Sequence, residues 1–160
     1  MWKKQKLFEN LTPFTLLDFE NTPSAILWFY GCNMRCGYCY NPEIVFGSGE
    51  YSFNDFLGFF ELRINLLKGI VLCGGEPTLH KEIENISREL KKMGYKIKLD
   101  TNGTKPEIIK VLLEQKLVDF IALDFKAPKE KFTQVTKSSF KEYEHFEKTL
   151  QFLIKSGFPF

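Results

Sequence analysis

The apolar residues of the chain repeat with two different periods, and the change between them predicts alternating strands and helices. Short segments bounded by polar residues or glycine are typical of strands in a parallel sheet; they occupy residues 25–30, 70–73, 96–99 and 118–123. Longer stretches with apolar residues at three-to-four spacing are typical of amphipathic helices; they occupy residues 53–67, 83–93, 106–113 and 140–154. Because strand and helix alternate throughout, we predict an α/β fold with parallel strands, right-handed crossovers and outer helices.

Residues suited to helix ends stand at the boundaries of these stretches. Ser52 can cap the first helix, and Pro106 suits the first turn of the third. Glycine follows three of the helical stretches, at Gly69, Gly94 and Gly157. The capping residues and the apolar periods therefore predict the same element order.

The residues with unusual chemistry all follow predicted strands. In chain order they are Cys32, Gly74-Gly75-Glu76, Asp100-Thr101-Asn102, and Asp124 with Lys126. Because the carboxyl ends of parallel strands meet at one edge of a sheet, we expect these side chains to form one site. The alternative is that polar residues simply follow strands as turn caps, which explains the aspartates and the asparagine but neither the cysteines nor the Gly-Gly-Glu segment.

Composition and charge limit the function classes. The chain has 160 residues, of which 44% are hydrophobic and 26% charged, so we expect residues 1–160 to form one domain. Its formal net charge of +2 gives no electrostatic case for nucleic acid as a ligand. It has neither an apolar run long enough to span a membrane nor a signal peptide, so we expect a cytoplasmic protein.

Three of the four cysteines lie within eight residues, at Cys32, Cys36 and Cys39. Thiolates at this spacing suit an iron–sulfur cluster, and three ligands on a [4Fe–4S] cube leave one iron open to a substrate or cofactor. Gly31 would let the backbone wrap tightly around such a cube. A zinc site with Cys73 as fourth ligand is the alternative, although no second cysteine knuckle is present.

The cysteine loop, followed by Gly-Gly-Glu-Pro after the second strand, resembles the radical S-adenosylmethionine (SAM) superfamily. The likeness is greatest to the activating enzymes of glycyl-radical enzymes, and more narrowly to activating proteins of anaerobic ribonucleoside-triphosphate reductase. It extends over residues 11–158, and its further supporting stretches are residues 13–19, 30–33, 40–43, 98–103 and 122–128.

This resemblance implies the cofactors and their ligands. Cys32, Cys36 and Cys39 would bind a [4Fe–4S] cluster whose open iron chelates SAM. Tyr38 would lie against the adenine, unless it only packs within the loop. Carbonyls or the carboxylate of Gly74-Gly75-Glu76 would hold the methionine ammonium, although this segment alone could also be a simple turn.

Further positions follow from the same resemblance. Lys126 would meet the SAM carboxylate, and Asn102 would belong to the SAM-binding residues. Asp100, Thr101 and Asp124 would bind a monovalent cation beside SAM, as hard oxygen ligands can; the alternative is strand-end capping.

The superfamily also implies a partial (βα) barrel, which here is shortened at the C-terminus. Relatives continue through two more βα units, whereas this chain ends at Phe160. We therefore expect the edge at residues 118–124 to be unpaired, or covered only by the tail after Gly157.

The resemblance implies an activating enzyme that cleaves SAM reductively and forms a glycyl radical on an anaerobic ribonucleotide reductase. Its electron would come from a donor of the flavodoxin or ferredoxin type. One alternative is a radical SAM enzyme acting on a small molecule, similar to the 7-carboxy-7-deazaguanine synthases. The other is a non-catalytic zinc-binding module or an inactive truncated relative.

Overall fold

The computed structural model describes residues 1–160, and all its strands belong to one six-stranded sheet. The strands are β1 (Lys6–Thr15), β2 (Ser24–Phe29), β3 (Tyr51–Ser52), β4 (Gly69–Gly74), β5 (Lys96–Thr101) and β6 (Phe120–Leu123). Their spatial order is β3-β1-β2-β4-β5-β6. The pairs β2–β4, β4–β5 and β5–β6 are parallel, which confirms the predicted parallel arrangement of the four expected strands.

The longer predicted helices are all present. The helices are α1 (Pro42–Phe46), α2 (Phe53–Arg63), α3 (Ile83–Lys92), α4 (Pro106–Glu114), α5 (Phe132–Thr136) and α6 (Phe140–Ser156). A capping box between Ser52 and Asp55 starts α2, as the predicted cap requires. This helix ends at Arg63, four residues before the predicted Leu67, and a turn follows in which the N–H groups of Leu66 and Leu67 both donate to the carbonyl of Arg63.

The sheet has two strands more than the four that the sequence predicted, and both extend it on one side. Strand β1 pairs antiparallel with β2, and β3 pairs antiparallel with β1. The sequence of β1 hides this role, since Glu9 and Asn10 break its apolar pattern and Pro13 argues against a central strand. The polar residues and the proline are compatible with β1 because the short β3 covers only part of the outer edge of this strand.

The main core lies between the outer face of the sheet and the helices. It is a cluster of 22 buried residues. At its centre is a row of directly neighbouring residues on the four parallel strands: Leu27, Leu72, Leu99 and Ile121. All four side chains are fully buried, so this row fixes the strand register.

The inner face of the sheet is different. The row that alternates with the main core contains Ile26, Val71, Lys98 and Phe120, so a lysine interrupts the apolar residues. Buried residues form only a small cluster here, made of Phe19, Ile26 and Val71. The inner face is therefore mixed in character and borders the site described below.

The chain's tail lies along the free edge of β6, as predicted. Gly157 takes the left-handed conformation at φ 65° and ends α6. The backbone N–H of Ile121 then donates to the carbonyl of Pro159 at 3.2 Å. None of the helices combines the length and the apolar composition that a membrane span requires.

Candidate functional site

Two glycine-containing loops meet at the carboxyl ends of β2 and β4. The N–H of Gly75 donates to the carbonyl of Phe29 at 2.9 Å, and the N–H of Glu76 donates to the carbonyl of Gly31 at 2.7 Å. A Cβ atom on Gly75 would lie 1.8 Å from the Gly31 carbonyl oxygen, and Gly74 has a φ of 122°. Glycine is therefore required at both positions of the β4 loop, because the loop lies against the backbone that leads into the cysteines.

The Glu76 carboxylate fastens a third loop, which follows β5, to the other two. It is fully buried. One oxygen accepts from Thr101 Oγ1 and the other from the backbone N–H of Asn102, both at 2.7 Å. Thr78 adds a backbone and a hydroxyl donor. Burial raises the pKa of Glu76, while these hydrogen bonds act in the opposite direction.

This placement bears on the predicted role of Glu76, which stays a prediction. Its carboxylate points into the loop junction and accepts four hydrogen bonds from the protein itself, three of them at Oε1. Gly74 and Gly75 do line the cavity, which leaves the backbone of this segment as the part that faces a ligand.

A cavity of about 260 Å³ opens where these loops meet. It brings together nearly every residue that the sequence singled out. The lining includes Cys32, Cys36, Tyr38, Cys39, Gly74, Gly75, Asp100, Thr101, Asn102, Asp124 and Lys126. Of the predicted ligand-binding residues, only Glu76 is absent from this lining.

The three cysteines of the loop are free thiols, and each is half-buried. Burial raises the pKa of Cys32 and Cys36, so bound metal has to displace their protons. The loop is supported from outside by the segment that contains α5: the N–H of Arg35 donates to the carbonyl of Thr136 at 2.7 Å. Sequence patterns gave no indication of this support, because a backbone carbonyl carries it.

The donor set fits a cluster with one open iron. No group of three or more His, Cys, Asp or Glu side chains converges on the position of a single metal ion. A cube does not require such convergence, because each cysteine binds a different iron. Cys73, the fourth ligand of the zinc alternative, lies in β4 and lines the same cavity, but its thiol does not converge with the other three on one point. The site therefore fits three thiolates on a [4Fe–4S] cluster rather than tetrahedral zinc.

Lys126 and Tyr38 form part of the cavity wall. Lys126 Nζ lies 2.7 Å from Asp124 Oδ2. Burial alone would lower the pKa of Lys126, but Asp124 raises it overall, so the ammonium stays charged. The hydroxyl of Tyr38 donates to the backbone carbonyl of Lys126 at 3.2 Å, which links the two lining residues. A cation and an aromatic ring are thus available to a ligand carboxylate and a ligand base.

The predicted cation site has its residues in the cavity, and one oxygen of each aspartate lies beside a lysine. Asp100 Oδ1 lies 2.8 Å from Lys98 Nζ, and Asp124 Oδ2 is paired with Lys126. Thr101 Oγ1 donates to Glu76. Cation binding here stays a prediction: Asp100 Oδ1 is buried without a well-aligned hydrogen-bond donor, and the second carboxylate oxygen of each aspartate is outside these ion pairs.

Comparison with known proteins identifies the family. The family model for the radical SAM superfamily matches residues 26–160. The chain therefore belongs to the radical SAM superfamily, and its cofactors are a [4Fe–4S] cluster and SAM. The three-cysteine loop at the cavity mouth is the part of the structure suited to that cluster.

Individual relatives extend this result. A protein of Methanocaldococcus jannaschii named "Putative glycyl-radical enzyme activating enzyme MJ1227" is 36% identical over 137 residues, or 82% of this chain. The 7-carboxy-7-deazaguanine synthase of Aquifex aeolicus is 37% identical over 83 residues, or 51% of this chain. The chain spans 55% of the length of the first protein and 37% of the second.

A solved structure confirms the fold. The structure of "anSMEcpe with bound AdoMet" superposes with a TM-score of 0.64 and 25% identity. The superposition covers 81% of this chain and 39% of that chain. The expected partial barrel of the radical SAM type is thereby confirmed.

Proposed function

We propose that the chain is an activating enzyme that forms a glycyl radical on a partner protein, and that this partner is an anaerobic ribonucleoside-triphosphate reductase. The observation that carries the proposal is the likeness to the M. jannaschii protein, which covers most of this chain. The likeness to the synthase covers only about half of it. The Asp-Thr-Asn-Gly and Asp-Phe-Lys segments, at residues 100–103 and 124–126, agree with the activating branch.

The residues of the cavity have distinct tasks in this reaction. When bound, the reduced cluster and SAM supply a 5′-deoxyadenosyl radical. Cys32, Cys36 and Cys39 would hold three of the irons. Lys126 would pair with the SAM carboxylate, and Tyr38 would support the adenine. The glycines of the β4 loop let the methionine part approach the backbone closely.

The mouth of the cavity suits a protein substrate. Tyr38 and Tyr40 are 57% and 95% exposed, and Phe125 is 63% exposed between two residues of the cavity wall. Exposed aromatic side chains around an opening are typical of protein interfaces. A glycine suits the target position because its Cα has no side chain to block approach.

The electron donor belongs to the same proposal. We expect a protein of the flavodoxin or ferredoxin type, because the cysteine loop lies at the protein surface. Arg35 and Gly37, within this loop, are exposed. A donor docked there would come close to the cluster without entering the cavity.

The proposal is tested with reconstituted protein, reductant, SAM and a candidate anaerobic ribonucleotide reductase. The expected products are 5′-deoxyadenosine and a glycyl radical doublet in the electron spin resonance spectrum. A longer relative serves as positive control, and Cys36→Ala should abolish both products. SAM cleavage without a radical on the partner, in an assay where the longer relative succeeds, would contradict the proposed partner.

The alternative has its own observation, the likeness to the A. aeolicus synthase. An enzyme of that type would act on a free pterin in a reaction that depends on added Mg²⁺. Turnover of the pterin by this chain, with no radical on any reductase, would favour the small-molecule function instead.

A further inference from the structure

A closed ring of side-chain hydrogen bonds lies directly behind Cys32. Asn102 Nδ2 donates to Asn33 Oδ1 at 2.9 Å, and Asn33 Nδ2 donates to Thr104 Oγ1 at 2.9 Å. Thr104 Oγ1 completes the ring by donating to Asn102 Oδ1 at 2.7 Å. Asn102 and Thr104 are 4% and 1% exposed, so water does not compete for these bonds.

The backbone decides which way the Asn102 amide faces. The N–H of Thr104 donates to Asn102 Oδ1 at 3.0 Å, and a backbone N–H cannot act as an acceptor. Oδ1 must therefore face Thr104, and Nδ2 must face the cysteine loop. The orientation of Asn33 follows, since its oxygen has to accept from Asn102.

One N–H of Asn102 remains after the ring is complete, and Cys32 is the acceptor within reach. Asn102 Nδ2 lies 3.9 Å from Cys32 Sγ, a distance at which a weak N–H···S bond forms. The backbone of Asn102 is in turn held by Glu76 Oε2 at 2.7 Å. The donor is thus fixed to the same loop junction that carries the β4 loop.

We propose that Asn102 is a positioning residue for the cluster rather than a SAM ligand, and that its N–H···S bond to Cys32 stabilises the reduced state of the cluster and retains its iron. The inference rests on the membership of the superfamily, and it holds whichever substrate the enzyme has. Hydrogen bonds to ligand sulfurs raise the reduction potential of iron–sulfur clusters, because they offset the negative charge that an added electron increases.

Three substitutions separate this role from a merely structural one. Asn102→Leu removes the donor without adding charge, and Asn102→Asp replaces it with an oxygen that repels the sulfur. Thr104→Val breaks the ring at its hydroxyl but leaves the backbone N–H that orients Asn102, so the N–H···S bond survives. Asn54→Asp, at an exposed position of α2, is the surface control.

The measurements are the midpoint potential of the reconstituted cluster without partner, the rate of iron loss to a chelator, and thermal unfolding of each apo variant. We expect Asn102→Leu to disfavour reduction at least tenfold, which corresponds to about 59 mV for one electron, and to lose iron several times faster. Asn102→Asp should shift further in the same direction. Thr104→Val should lower thermal stability while its potential stays near that of the wild type.

Equal potentials in Asn102→Leu and the wild type would overturn the inference, and so would equal shifts in Asn102→Leu and Thr104→Val. A normal pattern of potentials combined with no glycyl radical on the partner would contradict only the proposed function. A wild-type chain that holds no cluster would overturn both. The apo unfolding curves show whether a variant has lost its fold, and in that case the remaining Asn102 variant decides.

Discussion

At the scale of single residues, the site depends on the absence of a side chain at Gly75. Gly75 lies so close to the Gly31 carbonyl that a side chain at this position would push the two loops apart. Gly37, only two residues before the last cysteine of the loop, has nothing within 4 Å of where its Cβ would be. The two glycines therefore differ in what they tolerate.

Gly75→Ala should strongly destabilise the apo protein, whereas Gly37→Ala should not. The added methyl group would meet the Gly31 backbone at 1.8 Å, and a backbone atom cannot move aside as a flexible side chain can. We expect a loss of more than about 3 kcal/mol for Gly75→Ala and less than about 1 kcal/mol for Gly37→Ala. Urea unfolding of both variants measures the difference, and similar midpoints would contradict the close packing.

Cys73 should be the slowest of the four cysteines to be alkylated in the folded apo chain. Burial raises its pKa to about 12, and the thiolate is the reactive form. The alkylation rate of Cys73 should increase about tenfold for each pH unit from about pH 8 to pH 10, with no plateau in that range. Peptide mapping after iodoacetamide treatment measures the order, with urea-unfolded chain as control. Rapid labelling of Cys73 at the lower pH would show that it is not protected.

At the scale of elements, the two edges of the sheet are protected by different means. At one edge, the two-residue strand β3 covers only the start of β1. At the other edge, the backbone N–H of Ile121 in β6 is satisfied by the carbonyl of Pro159. The tail thus makes one of the hydrogen bonds that a neighbouring strand would make. This bond joins backbone atoms and does not depend on the side chains around it.

Deletion of residues 158–160 should make the apo protein self-associate. The deletion removes the acceptor of Ile121 and exposes the β6 edge, and unpaired edges pair with other chains. A variant with Phe158 and Phe160 both replaced by serine keeps the backbone acceptor and should associate less than the deletion variant. Sedimentation velocity compares the three proteins at equal concentration. Indistinguishable distributions for all three would refute the protective role of the tail.

At the scale of the whole molecule, stability and function lie on opposite faces of the parallel strands. The outer face belongs to the 22-residue core, while buried residues on the inner face form a cluster of three. Lys98 and Asp100 point to the inner side of β5 and form an ion pair there at 2.8 Å. Substitutions on the inner face should therefore affect folding less than substitutions in the outer core.

Ile97→Ala and Ile26→Ala test this division with identical chemistry. Ile97 is fully buried in the outer core, and Ile26 is 4% exposed on the inner face. We expect Ile97→Ala to cost about 4 kcal/mol and Ile26→Ala about 2 kcal/mol, because the surroundings of the inner position are less closely packed. Chemical denaturation gives both values, and a larger loss for Ile26→Ala would contradict the assignment of the main core.

The sequence predicted the parts of the fold that depend on strong local patterns. The four parallel strands and the helices that connect them follow from apolar period and caps, and the site residues follow from a spacing of cysteines that chance rarely produces. Strand β1 was missed because only its start is covered by β3, and a strand whose outer side is largely unpaired need not be apolar throughout. The inward orientation of Glu76 was missed because it depends on donors from Thr101 and Asn102, which the fold brings near it.

The ring around Asn102 also concerns the chemical lifetime of the chain. Asn102 is followed by Gly103. At such a pair the glycine nitrogen attacks the asparagine side-chain carbonyl, ammonia leaves, and the resulting succinimide is hydrolysed to isoaspartate and aspartate. In the folded chain that nitrogen donates to Thr101 Oγ1 at 3.1 Å, and the Asn102 side chain is held by Thr104. Folding therefore protects this amide from deamidation. Deamidation in a chain that stays unfolded would place aspartate or isoaspartate at position 102, and the donor that faces Cys32 would be lost even after the chain refolds.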